Sequence, residues 1–289
     1  ETFAGGVRLG WYDYGARFYD PMIGRWHCLD NLSEKYYPIS NYAYCGNNPI
    51  RNVDVDGNEF TDEAWRWVTK LVKESSRKQA ANNESVAEKR EQLKAGGLSE
   101  RKERQLNRQI SRLEGQNKEL QEMGVEMITL ACSDQVYDVK ASNSYSTSST
   151  GVGGASFNFS NGNFEMILPS SGGLELFSHE LKHAYQFETG AYSVGPELAG
   201  PNKNLLYDKY DEVEAYNRGS LFGGTSYTIN NLPQEYNNIA TGPVDATTHP
   251  NIKAIMGLPM DVQKKTLQDV ANRTLHAFRI NGTTYYKPK

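Results

Sequence analysis

His179, Glu180 and His183 are the residues of this chain whose types and spacing carry chemistry most directly, as an H-E-x-x-H in the run Leu174-Glu175-Leu176-Phe177-Ser178-His179-Glu180-Leu181-Lys182-His183-Ala184-Tyr185-Gln186. On a helix two imidazoles four residues apart stand one turn apart and reach a single metal ion. Glu180, turned by about 100° around the axis, is placed to hold a water beside the ion rather than the ion itself, the arrangement that zinc hydrolysis needs. The chain has five histidines in all, and two of them fall at ligand spacing around a glutamate.

Such a motif needs a helix, and the surrounding residues predict one. Leu174, Phe177, Leu181, Ala184 and Tyr185 recur at three- and four-residue steps and give an apolar face. Ser170 and Ser171 are candidate caps, Glu175 suits the positive end of the helix dipole, and Gly190 is a stop. A catalytic zinc takes three protein ligands and keeps one position open. The longer pattern H-E-x-x-H-x-x-G-x-x-H is not met, because Gln186 stands where it requires glycine and no histidine follows until His249. The third ligand is therefore expected from the helical segment 208–219, which offers Asp208, Asp211, Glu212 and Glu214. Glu212 and Glu214 face different sides of a helix, so only one of the two can ligate. Asp211 and Asp208 are expected to hold the histidine N–H groups. Donors to a developing oxyanion are sought among Tyr216, Arg218, Tyr227, His249 and Arg273, with Tyr216 carried forward beside Glu180 as catalytic.

At 289 residues the chain suits one large or two modest domains. A net charge of −4 and a pI of about 5.8 give no global basic field, so nucleic acid is not an expected partner. No apolar run is long enough to span a bilayer. There is no signal-peptide pattern, and a start at Glu1 without methionine suggests a C-terminal piece of something longer. Cys28, Cys45 and Cys132 are odd in number and lack C-x-x-C spacing, so they read as free thiols made in a reducing compartment, a cytoplasm.

Along the chain, residues 1–59 are dense in Tyr, Gly, Asn, Asp and Pro, with a strand expected at 7–12 and many tight turns. Residues 60–123 shift to Glu, Lys, Arg, Gln and Ala and predict an antiparallel helical hairpin. Thr61 and Ser99 start its helices, Gly96-Gly97 breaks them, and a seam of Leu106, Ile110, Leu113 and Leu120 is interrupted by Asn117. Its basic residues are interleaved with Glu and read as a solvated face. Residues 124–289 hold strands expected at 125–130, 135–140, 156–159 and 163–168, a flexible Ser/Thr/Gly loop at 142–154, the motif helix, a helix at 260–275, and a hairpin of 277–280 and 283–287 about Asn281-Gly282. The fold class expected is α+β, with a mixed or antiparallel sheet beside the motif helix.

Two resemblances add to this. Trp11-Tyr12-Asp13-Tyr14-Gly15-Ala16-Arg17-Phe18-Tyr19-Asp20-Pro21-Met22-Ile23-Gly24-Arg25-Trp26, with Asn41-Tyr42-Ala43-Tyr44-Cys45-Gly46-Asn47-Asn48-Pro49-Ile50, resembles the signature of the Rhs-repeat-associated core. That resemblance implies the end of a YD-repeat cage followed by a variable toxin, delivered by secretion machinery into competing bacteria and neutralised by a cognate immunity protein. The family's V-D-P-D-G is replaced by Val53-Asp54-Val55-Asp56-Gly57, which lacks the proline found in relatives that cleave themselves there. His179 to Gln186 followed by Glu212-Val213-Glu214-Ala215 resembles small gluzincin peptidases. This second resemblance implies a zincin-like domain with zinc on His179, His183 and Glu212, Ala215 letting the ligand helix lie close, and the strand at 163–168 forming a substrate-pairing sheet edge. A zinc peptidase acting on a protein of the recipient cell is the reading these resemblances imply. A zinc amidase acting on peptidoglycan and a non-catalytic binding or scaffold module are the alternatives.

Overall fold

The structure is a computed structural model, and it describes residues 12–13, 18–20, 25–26, 61–131, 133–142, 154–169, 172–195 and 205–289. The chain divides into two compact units, Glu1–Glu59 and Phe60–Lys289. In the first, β1 (Tyr12–Asp13), β2 (Phe18–Asp20) and β3 (Arg25–Trp26) form an antiparallel meander pairing Tyr12 with Tyr19 and Tyr19 with Trp26. The rest of the repeat-core signature, including Asp56-Gly57, lies outside the described residues.

The second unit opens with two long helices, α1 (Asp62–Ala95) and α2 (Glu100–Ala131). Thr61 caps α1 through its hydroxyl, and Gly96 and Gly97 take positive φ, which only glycine adopts without strain, so the chain reverses between the helices. Leu106, Ile110 and Leu120 are buried in the seam as their spacing predicts. Asn117 crosses it with two hydrogen bonds, accepting from Asn82 at 2.9 Å and donating to Asn83 at 2.8 Å. The strand expected at 125–130 is instead the last part of α2. Met123, Met127 and Leu130 are buried at helical spacing, whereas Val125 and Ile128 are about 60% exposed, so the 3.6-residue period decides against the local β-branched preference.

Next come β4 (Tyr137–Ser142), β5 (Gly154–Asn158) and β6 (Asn163–Pro169), a mixed sheet in the order β4-β6-β5 with β4 parallel and β5 antiparallel to β6. The strand expected to offer a sheet edge is thus the central one, paired on both sides along its length. Its alternation carries Phe164, Met166 and Leu168 inward at 0–3% exposure. The helix α3 (Leu174–Glu188) follows at once, its N-cap Gly173 rather than a serine; Ser170 and Ser171 lie outside the described residues. Gly190 ends it at φ 77°, where a Cβ would also meet the Arg279 carbonyl oxygen at 2.9 Å.

Beyond α3 the short strand β7 (Ser193–Val194) leads toward α4 (Lys209–Ser220), then α5 (Pro250–Met256), α6 (Met260–Thr274), β8 (Ala277–Ile280) and β9 (Thr283–Tyr285). The strands β7, β8 and β9 make an antiparallel sheet with β8 central. Leu206, Ile252, Leu267, Ala271 and Phe278 pack a second core between α5, α6 and this sheet. Helix α3 is buried on nearly every face: Phe177 packs against Trp67 of α1 with ring centroids 5.5 Å apart, and Phe187 meets Phe164 and Phe157 at 4.9 and 5.8 Å. Each such ring contributes about 1.5–3 kcal/mol of burial. The molecule is mixed α+β, and among the described residues no helix is long and apolar enough to cross a membrane.

Candidate metal centre

Helix α3 presents His179 and His183 one turn apart, with the two Nε2 atoms 3.2 Å from each other. Helix α4 lies against it because Ala215 is fully buried and Gly219 has no side chain; a Cβ at 219 would meet the Glu175 carbonyl oxygen at 2.7 Å. Glu212, Ala215 and Gly219 fall at i, i+3 and i+7 of one face, so the close approach carries the Glu212 carboxylate to the histidines. Its Oε1 is 3.3 Å from His183 Nε2 and its Oε2 3.6 Å from His179 Nε2. Tetrahedral bonds of about 2.0–2.1 Å set their ligand atoms about 3.3–3.4 Å apart, a spacing that the two Nε2 atoms and the carboxylate approach. His179, Glu180 and His183 likewise place one ligand atom each within 4.8 Å of one another, all buried. Among the described residues Oε2 of Glu180 and Oε2 of Glu212 are buried without a hydrogen-bond partner, a costly state for two carboxylates unless a cation or water meets them. These residues fit a metal ion held by two imidazoles and a carboxylate.

The electrostatics of the metal-free site follow from burial and proximity. Burial, with the His183 charge beside it, lowers His179 to about 3. Burial also pushes His183 down, but the Glu212 carboxylate and Gln186 outweigh it and leave His183 raised to about 9. Burial would raise Glu212, yet His183, His179 and the Tyr207 hydroxyl bring it down to about 2. Glu180, with burial dominant, rises to about 8. Without metal the pocket is a His183–Glu212 ion pair beside a neutral His179 and a carboxyl ready to hold a proton.

Glu214, the competing ligand, points away: its carboxylate accepts from Gln186 Nε2 at 3.2 Å and pairs with Lys182 at 3.4 Å. Asp208 and Asp211 do not hold the histidine N–H groups as expected. They form the capping box of α4, in which Asp211 accepts from the Asp208 N–H at 2.9 Å and Asp208 from the Asp211 N–H; Asp208 accepts as well from the N–H groups of Tyr210 and Val244. Burial raises Asp211 to about 8. Tyr216 lies with its ring edge-on to His179 at 4.5 Å and its hydroxyl 3.1 Å from that of Tyr236, and burial lifts it to about 12. Tyr227 packs on Tyr216 at 4.7 Å. The other donor candidates stand elsewhere: Arg218 is buried against Glu119 and Glu126 of α2, His249 caps α5, and Arg273 donates to the Asp269 carbonyl.

Three contributors escaped the sequence reading. Gln186 accepts from His183 Nδ1 at 2.9 Å; it lies three residues on, on the same helical face, which is the signal that would have found it. Tyr207 donates to Glu212 Oε1 at 2.6 Å from the coil before α4, and Tyr192 stacks on His183 at 4.9 Å. Neither belongs to a periodic pattern.

No family model matches the chain, and no solved structure matches it. One short likeness exists. Over 48 residues, 17% of this chain, it is 44% identical to salivary gland surface protein 1 of Aedes aegypti, and it spans about 1% of that protein's length.

Proposed function

We propose that residues 60–289 form a zinc-dependent peptidase of zincin type, and that the chain is the end of an Rhs effector that carries it into competing bacteria. The observation that carries the catalytic reading is that the His179 and His183 Nε2 atoms stand 3.2 Å apart, with a Glu212 carboxylate oxygen within 3.6 Å of each, and that the buried Oε2 of Glu180 has no hydrogen-bond partner. The delivery reading rests on the resemblance of residues 11–50, and with it come the cage, the secretion machinery, an immunity protein and a protein substrate in the recipient.

His179 and His183 through Nε2, and Glu212 through its carboxylate, would hold the zinc ion. When bound, such an ion supplies Lewis acidity that polarises a carbonyl and acidifies water. Glu180 takes the proton of the attacking water on its carboxylate and returns it to the leaving amine nitrogen. Burial favours this carboxyl holding a proton, which suits it to the return step. The Tyr216 hydroxyl, kept neutral by burial, donates to the oxyanion. Tyr207 fixes Glu212, and the buried ring of Tyr192, stacked on His183, excludes water behind it.

Glu180→Gln changes the base and leaves the ligands, so it keeps stoichiometric zinc while hydrolysis falls about 10²–10⁴-fold and toxicity in a recipient cell is lost. Full toxicity of that variant would overturn the assignment. Incubation with recipient lysate and, separately, with purified cell wall distinguishes a peptidase from an amidase.

A further inference from the structure

Gln186 is 3% exposed, and the directions of its side-chain amide are fixed from both ends. The nitrogen end faces two groups that can only accept, the Asp211 backbone carbonyl at 3.1 Å and the Glu214 carboxylate at 3.2 Å. Glu214 is in turn held by Lys182, whose ammonium is 3.4 Å away and also reaches Glu126 of α2 at 2.8 Å. The oxygen end therefore faces His183, 2.9 Å from Nδ1. An amide oxygen cannot donate, so Nδ1 carries the proton. In the neutral ring the lone pair then sits on Nε2, the atom 3.2 Å from His179 Nε2 and 3.3 Å from Glu212 Oε1.

We propose that Gln186 is a positioning residue, anchored by Glu214 and the Asp211 carbonyl, that holds a proton of His183 on Nδ1, so that Nε2, the nitrogen beside His179 Nε2 and the Glu212 carboxylate, is the one presented to a metal. The proposal rests on reading His179, His183 and Glu212 as the metal site. It also explains why a glutamine, with one acceptor and one donor end, suits a position three residues after the second histidine. A leucine of similar size would leave the Nδ1 proton and the Asp211 carbonyl without partners, and a glutamate would set two carboxylates against each other at 186 and 214.

The test compares the full chain with Gln186→Leu and with the swap Q186E/E214Q, which keeps an acceptor at Nδ1 and supplies a donor from position 214. Three readouts are taken: zinc affinity by chelator competition, the exchange-protected Nδ1–H proton resonance of His183 in the metal-free protein, and the metal-free Tm. Gln186→Leu is expected to weaken zinc about 10–100-fold and to lose the resonance, and the swap to restore both. A merely structural bridge between α3 and α4 predicts a lower Tm with zinc affinity and resonance unchanged, and that result overturns the proposal. A wild-type chain that shows the protected resonance but takes up no zinc would support the positioning and sink the metal reading, so the two failures are told apart.

Discussion

Among single residues, the sharpest distinction lies between Glu212 and Glu214, two carboxylates two positions apart whose surroundings separate them. Glu212 is buried against both imidazoles, whereas the Glu214 side chain is 57% exposed and occupied by Lys182 and Gln186. Glu212→Gln is accordingly expected to lose stoichiometric zinc, and Glu214→Gln to keep it within about tenfold, as elemental analysis and chelator titration would read. Loss of zinc from both variants alike would contradict the difference in placement. The ligand spacing of His179 and His183 was plain in the sequence because it is local to one helix. Which carboxylate faces them was not, since periodicity alone allows either face of α4 to meet α3. That choice is made by Ala215 and Gly219, whose small size matters only once the two helices touch. Gln186 was read as an interruption of a longer motif, and its partners lie 25 and 28 residues away.

For the helices and strands, contacts at their ends decide what can move. Gly219→Ala sets a methyl group against the Glu175 carbonyl and forces α4 away from α3. A cost of about 1–3 kcal/mol is expected, together with weaker zinc binding as Glu212 recedes; unchanged affinity would show that α4 has slack. The start of α1 is tied to β4 through Asp138, which accepts from the Thr61 hydroxyl and the Val139 N–H and pairs with Lys140. Burial alone would raise the Asp138 pKa, but the bonds from Lys140, Thr61 and Val139 leave it lowered. Its contribution is thus fully present above the unfolded aspartate value of about 3.9 and is lost as pH falls through the folded value. Asp138→Asn should cost about 1 kcal/mol at pH 7, a difference that closes in denaturant melts taken below about pH 4. Strand and helix types were legible where one period dominated, as in β6 and α3. They were misleading at 125–130, where β-branched residues sit on the exposed side of a helix whose buried side is methionine and leucine.

For the whole molecule, the helical hairpin is part of the site's support. Glu126, 7% exposed on α2, receives Lys182 from α3 at 2.8 Å and Arg218 from α4 at 2.9 Å, so one carboxylate joins the two helices that bear the candidate ligands. Glu126→Ala removes the carboxylate that Arg218 and Lys182 share, leaving them Glu119 at 3.6 Å and Glu214 at 3.4 Å, and is expected to cost about 2 kcal/mol, a fall in Tm of about 4–8 °C for a unit of this size. A Tm change under about 2 °C would show the contacts to be incidental. The composition announced a hairpin but not this role, because a buried ion pair across 56 and 92 residues leaves no trace in local pattern. The same hairpin also measures distance. Asn117 satisfies both ends of its amide on Asn82 and Asn83, and a slip by one heptad would set it opposite Ser75 and Ser76 or Lys89 and Arg90, losing the paired amides, while displacing Glu126, nine residues further along, by about 10 Å. A polar rung far out on the arm thereby acts as a gauge: it meters where the anchor for α3 and α4 arrives, and through them how closely His183 and Glu212 meet.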